Sequence, residues 1–384
     1  MTSREREIVA LLRADPLLDA SALAERLGST RAAISVHLSN LTRKGILLGR
    51  GYLVRPEADS VLVVGGAVLD SKVRTADRPV LGTSNPGTSG STAGGVGRNI
   101  AENLARLGSP TVLLAAVGDD PAGRAVLDRT ESAGVECRHV VTSRHPTGTY
   151  VAVLDDGGDL LVAVADMRAT DELAVTDLAA VPSLLTGADA LVVDANLDAG
   201  VIRWLLGAAA DAGVLAVLDP VSVAKAGAAA HVLDGTVPVH TVTPNVDELA
   251  ALVGSPVGGD VDAIVAAAAT LHERGVEHVW VRRGTRGSLL SVAGAPGDPA
   301  ARRVVLVGAP HTTVEDVTGA GDAMTAGYVH ALLTGSDVVE AARFGQVLAA
   351  LTCASSETVR TDLTAALVAA HLTPDQPPTE EYPA

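Results

Sequence analysis

The chain has 384 residues, 47% of them hydrophobic and 19% charged, which excludes an intrinsically disordered protein and leaves room for more than one domain. Two cysteines exclude a disulfide framework or a cysteine-rich metal cluster, and an aromatic content of 2% argues against a stacking platform for single-stranded nucleic acid. The formal charge of −16 is uneven: residues 1–57 carry a net +3 and the remainder −19, so the two parts suit different partners.

The opening "MTSREREIVALLRAD" is charged throughout and lacks the apolar stretch of a signal peptide. No later apolar run reaches the length of a bilayer span, so a cytoplasmic protein without a membrane partner is expected. Ile8, Leu11 and Leu12 lie at helical spacing; Leu23, Ala24 and Leu27 mark a short second helix closed by Gly28. A third helix starts from Ser29 or Thr30 and turns Ile34, Leu38 and Leu41 to one face. "ILLGRGYLV" then reads as two short strands around Gly49-Arg50-Gly51. Three helices and a compact wing resemble a winged helix-turn-helix domain over residues 1–55. That resemblance implies duplex DNA as partner, met by Arg31, Ser35, Ser39, Arg43 and Lys44 on the third helix and by Arg50 in the wing. The alternative is a packing module whose charges only solvate its surface. Residues 56–60, polar and close to Pro56, read as a linker.

From Val61 to about residue 372, short apolar runs alternate with amphipathic stretches, the pattern of an α/β domain with a mostly parallel sheet flanked by helices. Ligands in such sheets bind beyond the carboxyl ends of the strands, where Asp70, Asp194, Asn196, Asp219, Asn245 and Gly284 fall. Residues 147–167 read as a hairpin around Asp155-Asp156-Gly157-Gly158, either a small β lid or an edge extension. The Pro-rich residues 373–384 read as a disordered tail.

Two glycine-rich stretches precede helices. In "STAGGVGRNIAENLARLG", Gly94 and Gly95 let backbone N–H groups approach a polar ligand and Asn99 offers an amide. In "DVTGAGDAM", Gly319, Ala320 and Gly321 form an anion cradle at a helix start, with Asp322 at its lip. Asp322 is either a first-turn residue favoured by the helix dipole or a base that takes a proton from a hydroxyl.

Together, "GGVGRN", "TPNVDE" and "DVTGAGDAM" resemble, in order, the signatures of the ribokinase-like (PfkB) carbohydrate kinases; "SNPG", "ADM" and "DPVS" are similar to the pseudouridine kinases within them. The resemblance implies a ribokinase-like fold and transfer of a phosphoryl group from ATP to the 5′-hydroxyl of a nucleoside, pseudouridine first, with ribose or another nucleoside as alternative. It implies that Asp322 is the base and Gly319, Ala320 and Gly321 the anion hole. Asp70, Gly94, Gly95 and Asn99 would hold the sugar, and Asn85, Thr149 and Asp166 the base. Asn245 and Glu248 would organise Mg2+ through water, Gly284 and Gly287 would line the nucleotide, and Asp316 and Thr318 would bind a monovalent cation such as K+. A homodimer is expected by the same resemblance. Val68 stands where the family often has Asn, and Ala165 where the subgroup has Asn. Thr149 packing in a hairpin, Asp166 as a solvated turn, and Asp194, Asn196 and Asp219 capping loops remain alternatives. So does a transcriptional regulator that only senses a sugar or nucleoside.

Overall fold

The computed structural model describes residues 2–14, 18–44, 46–47, 60–294 and 302–383. The chain divides into two compact units, Met1–Asp59 and Ser60–Ala384.

In the first unit, helices Ser3–Ala14, Ala20–Arg26 and Arg31–Arg43 enclose a core of Ile8, Leu12, Leu23, Ile34, Leu38 and Leu41, joined by Leu47. The Asp19 carboxylate caps the second helix through the N–H groups of Ser21 and Ala22 (2.9 and 2.8 Å), and the Thr30 hydroxyl caps the third through Ala33 (3.2 Å). Apart from Ile46, Leu47 and Ser60, the wing and the proposed linker, with Arg50, lie outside the described residues.

In the second unit, nine strands among the described residues form one sheet. Its order runs Thr379–Tyr382, Arg303–Val307, Ser288–Val292, Val276–Arg282, Val239–Val242, Leu215–Asp219, Ala188–Asp194, Ser60–Val64 and Thr111–Leu114. The last six are mutually parallel, and the first three join antiparallel. Strand alternation sorts the side chains into two cores. Leu62, Val64, Leu191 and Val193 pack with Leu205, Leu249 and Ile264 on one face; Val61, Val63, Ala190 and Val192 pack with Ile100, Leu104 and Val329 on the other. Among the described residues no helix is long and apolar enough to cross a membrane.

Two expectations change. The lid is a four-stranded sheet, Gly87–Gly94, Val68–Thr75, Gly148–Leu154 and Leu160–Asp166 in that order, rather than the 147–167 hairpin alone. The strand Gly87–Gly94, "GTSGSTAG", has almost no strand-forming residues, and a full antiparallel ladder with Val68–Thr75 holds it. The tail expected to be disordered contains Thr379–Tyr382, which pairs with Arg303–Val307; the Tyr382 hydroxyl donates to Asp262 (3.0 Å). Arg343 binds the carbonyls of Thr373, Pro374 and Pro377 (2.8 to 3.1 Å), which sequence composition could not reveal.

Candidate active site

The parallel strands end together, and their last residues or the loops that follow bring Gly65, Asp194, Asp219, Asn245 and Arg282 to one edge of the sheet. The two glycine-led helices, Val96–Leu107 and Ala320–Leu333, start at the same edge and lie against each other.

Asp194 is fully buried and is a loop anchor. One oxygen accepts the N–H groups of Gly66 (2.8 Å) and Gly97 (2.7 Å), the other that of Asn196 (2.9 Å). Burial raises its pKa, against the pull of those hydrogen bonds. It thereby pins the first glycine-rich turn, and Gly95 opens the helix at φ 97°. Gly94 pairs with Val68 in the lid ladder, and any Cβ on it would strike the Asp70 carboxylate. Burial pushes Asp70 up to about 6, while the charges of Arg98 and Lys72 pull it down.

Asn99 joins the two glycine motifs. Its amide Nδ2 donates to Asp322 Oδ2 at 2.8 Å, and its oxygen accepts from Arg98 Nη1 at 2.7 Å. Sequence reasoning gave Asn99 to the sugar; in the structure it holds the carboxylate at the second helix start. Asp322 is buried and its pKa is pushed up to about 7, first by burial and then by the charge of Asp219, against the Asn99 hydrogen bond and Arg282. A carboxylate titrating there is suited to taking a proton near neutral pH. Gly319 precedes it at φ 79°, a position closed to a side chain by Thr358. The Ala320 N–H is turned onto the Val317 carbonyl (3.2 Å), so the cradle rests on the Gly319 and Gly321 amides.

Asn245 and Glu248 form a reciprocal capping box: Glu248 N–H donates to Asn245 Oδ1 (2.8 Å) and Asn245 N–H to Glu248 Oε2 (2.9 Å). Glu248 also accepts from Arg282 Nη2 (2.9 Å). Asp219 accepts from Thr243 (3.0 Å), Thr325 (3.1 Å) and Arg282 Nη1 (3.5 Å). Arg282 lines a cavity of about 420 Å³ with Gly284, Gly287, Ala320 and Gly321, so the expected nucleotide loop and the anion cradle share one space.

Other expected contacts are engaged within the chain. The Asn85 amide closes its own loop on Val80 (2.8 and 2.9 Å) and Thr83 (3.2 Å). Thr149 stands opposite Asp166 in the lid ladder, and Arg168 holds the Asp166 carboxylate (2.9 and 2.5 Å), lowering its pKa to about 2. Asp316 Oδ1 accepts from the Thr318 N–H (2.9 Å) and hydroxyl (2.6 Å), and Oδ2 meets the Lys72 ammonium at 2.5 Å. Both oxygens are thus served by the chain itself, an arrangement that does not fit a bound monovalent ion.

Arg98, Glu102, Lys72 and Arg282 were missed in the sequence. Arg98 is fully buried, paired with Glu102, and donates to Thr130 (3.1 Å) and the Ala93 carbonyl (3.0 Å). The only signal was the i, i+4 spacing of Arg98, Glu102 and Arg106, which also fits a solvated helix face. In the first unit, Arg31, Ser35, Ser39 and Arg43 are exposed on the third helix, and the Ser35 hydroxyl donates to the Arg31 carbonyl (2.9 Å). Lys44 instead ties the first and third helices together through the buried Glu5 (2.8 and 3.0 Å).

Residues 59–365 match the pfkB family of carbohydrate kinases, and residues 1–47 match a winged helix-turn-helix DNA-binding family. The chain is 34% identical over 356 residues to an uncharacterized sugar kinase, YeiI, of Escherichia coli strain K12, covering 92% of this chain and 94% of that one. It is 33% identical over 314 residues to the pseudouridine kinase of the same strain, covering 81% and 96%. The structure of Arabidopsis thaliana ribokinase complexed with ribose and ATP superposes with a TM-score of 0.68 at 26% identity, over 78% of this chain and 94% of that one.

Proposed function

The chain belongs to the pfkB family of carbohydrate kinases, and from that premise we propose that it transfers the γ-phosphoryl group of ATP to the 5′-hydroxyl of pseudouridine. One observation carries the kinase chemistry: a buried carboxylate, Asp322, is held by Asn99 at the start of a glycine-led helix that shares its cavity with the Gly284–Gly287 loop.

In this reading ATP occupies the cavity, with Gly284 and Gly287 against the nucleotide. Asp70, whose carboxylate occupies the space that the missing Cβ of Gly94 leaves, accepts hydrogen bonds from sugar hydroxyls. Asp322 takes the proton of the attacking hydroxyl, and the Gly319 and Gly321 amides face the charge on the transferring group. Positioning and charge neutralisation do most of the work in such a transfer. The buried carboxylates Asp219 and Glu248 outnumber Arg282 and suit an added cation. Mg2+ would be held by Glu248 and Asn245 through water and would neutralise phosphate charge.

Pseudouridine is supported by the identity to the Escherichia coli enzyme and by the "SNPG" and "DPVS" stretches. A second reading, ribose or another nucleoside, is favoured by the engagement of Asn85 and Asp166 within the chain. The first unit binds duplex DNA through Arg31, Ser35, Ser39 and Arg43, consistent with its family match. A homodimer is supported by the exposed Leu160, Leu161, Val162 and Val164 of the lid. Incubating the protein with Mg-ATP and each of pseudouridine, uridine, adenosine, ribose and fructose 6-phosphate tests the substrate. The highest kcat/KM is expected for pseudouridine; an equal or higher value for ribose or uridine rejects it.

A further inference from the structure

We propose that Arg282 is a further catalytic residue, whose guanidinium binds the transferring phosphoryl group; the inference rests on the kinase reading above. Arg282 is the last residue of the strand Val276–Arg282 and is only 17% exposed. Its Nη2 is fixed by Glu248 Oε2 at 2.9 Å and its Nη1 by Asp219 Oδ2 at 3.5 Å. Those two bonds use two of the five guanidinium N–H groups. Nη1 also lies directly over Gly321, where it stands in the space a Cβ would need. The guanidinium therefore sits against the cradle that precedes Asp322 and lines the same cavity.

Charge explains why a buried cation is kept there. Asp219, Glu248 and Asp322 are buried around it, and Arg282 is electrostatically coupled to all three. Two carboxylates behind a guanidinium orient its fork before any ligand arrives, and a planar fork matches the geometry of phosphate oxygens. In the transfer, the bond from the nucleoside 5′-oxygen to Pγ forms and the bond from Pγ to the bridging oxygen of ADP breaks. The hydroxyl proton passes to Asp322, and the nonbridging oxygens of the moving group take hydrogen bonds from Arg282. A donor fixed in advance beside developing charge stabilises the transition state more than the ground state.

The test uses the full chain with Arg282→Gln and Arg282→Lys. Calorimetry of Mg-ADP binding and the substrate assay on the unaltered protein come first; no binding and no product on any acceptor would defeat the kinase reading and this proposal with it. Given activity, Arg282→Gln is expected to lower kcat by about 10²- to 10³-fold, the loss typical of removing one such donor, with the acceptor KM changed only a few-fold. Aluminium fluoride, which with ADP mimics the transferring group, is expected to tighten ADP binding to the unaltered protein but not to Arg282→Gln. A purely structural counter-ion would leave that tightening intact, and its persistence, or a kcat within threefold of the unaltered protein, overturns the proposal. If Arg282→Gln does not fold, Arg282→Lys keeps the charge between Asp219 and Glu248 and loses the fork. A loss of kcat of about tenfold or more with weaker tightening supports the role, and an unchanged kcat refutes it.

Discussion

The helices Val96–Leu107 and Ala320–Leu333 both begin on glycine, both start at the carboxyl edge of the sheet, and touch each other, yet they are furnished in opposite ways. The first carries its charges in pairs. Its buried Arg98 and Glu102 are paired, Arg106 donates to Glu102 (2.8 Å), and Asp194 holds its entry loop by backbone N–H groups. The second presents a single buried carboxylate, Asp322, with Asn99 as its neutral donor. Paired buried charges fix a conformation, whereas a buried carboxylate without a formal ion partner is left close to its protonation midpoint. On the proposed function, one helix start is scaffold and the other carries the base.

Four substitutions break or sharpen that contrast. The largest effect is expected for Asp322→Asn, which lowers kcat by about 10²- to 10⁴-fold because an amide cannot accept the proton. Stability should move the other way. The folded pKa of Asp322 is about 7, above its unfolded value near 4, so the folded state holds the extra proton in between. Stability of the unaltered protein is therefore lost as pH rises from about 4 to about 7, and Asp322→Asn escapes that loss. Urea midpoints at pH 5 and pH 8 should show a larger gain of the variant over the parent at pH 8, because only part of the loss has accrued at pH 5. Unchanged turnover would remove Asp322 as the base.

Glu102→Ala attacks the scaffold instead. Stranding the buried Arg98 guanidinium should cost about 3–5 kcal/mol in urea unfolding, while the fraction that remains folded keeps kcat within a few-fold. A large kcat loss with little destabilisation would reverse the assignment of roles to the two helix starts. Asn99→Ala lies between them. Its hydrogen bond lowers the Asp322 pKa, so removing it should raise the midpoint of the kcat/KM profile above 7. The shift expected is about 1–2 pH units if the bond is worth the usual ~1.5–3 kcal/mol of a charged hydrogen bond.

The smallest effect concerns Lys72, which reaches Asp316 just before the second helix start and is about half exposed. Lys72→Met should change kcat within about fivefold, as expected of an exposed pair worth up to ~1 kcal/mol. It should also make activity respond to K+ where the parent does not. A parent enzyme that requires K+ would show that the ammonium does not take the ion's place.

The place of Asp322 at a glycine-led helix start was readable because the glycines, the helix start and the carboxylate are adjacent in the chain, and local order carries its own physical meaning. Asp194 was legible as a residue of the right edge but not in its task, because the amides it binds at Gly66 and Gly97 are some hundred residues away. Arg282 read as part of a basic "RRGTRG" loop; its burial between Asp219 and Glu248 arises only when three strand ends converge. Asn85 and Asp166 have local partners at Val80 and Arg168, which a motif match does not reveal. In the lid, the glycines and serines of residues 87–94 carry no strand signal, and only the ladder to Val68–Thr75 makes them one.

The strand Thr379–Tyr382 has a consequence for how the chain is made. It pairs with Arg303–Val307, whose Val304, Val305 and Val307 are buried, but about seventy residues separate the two partners. At about 5–20 residues per second, a ribosome would leave that apolar strand as an open sheet edge for roughly 4–14 seconds. Open edges recruit other chains. An interval of exposure to self-association therefore falls within synthesis, before Thr379–Tyr382 can pair.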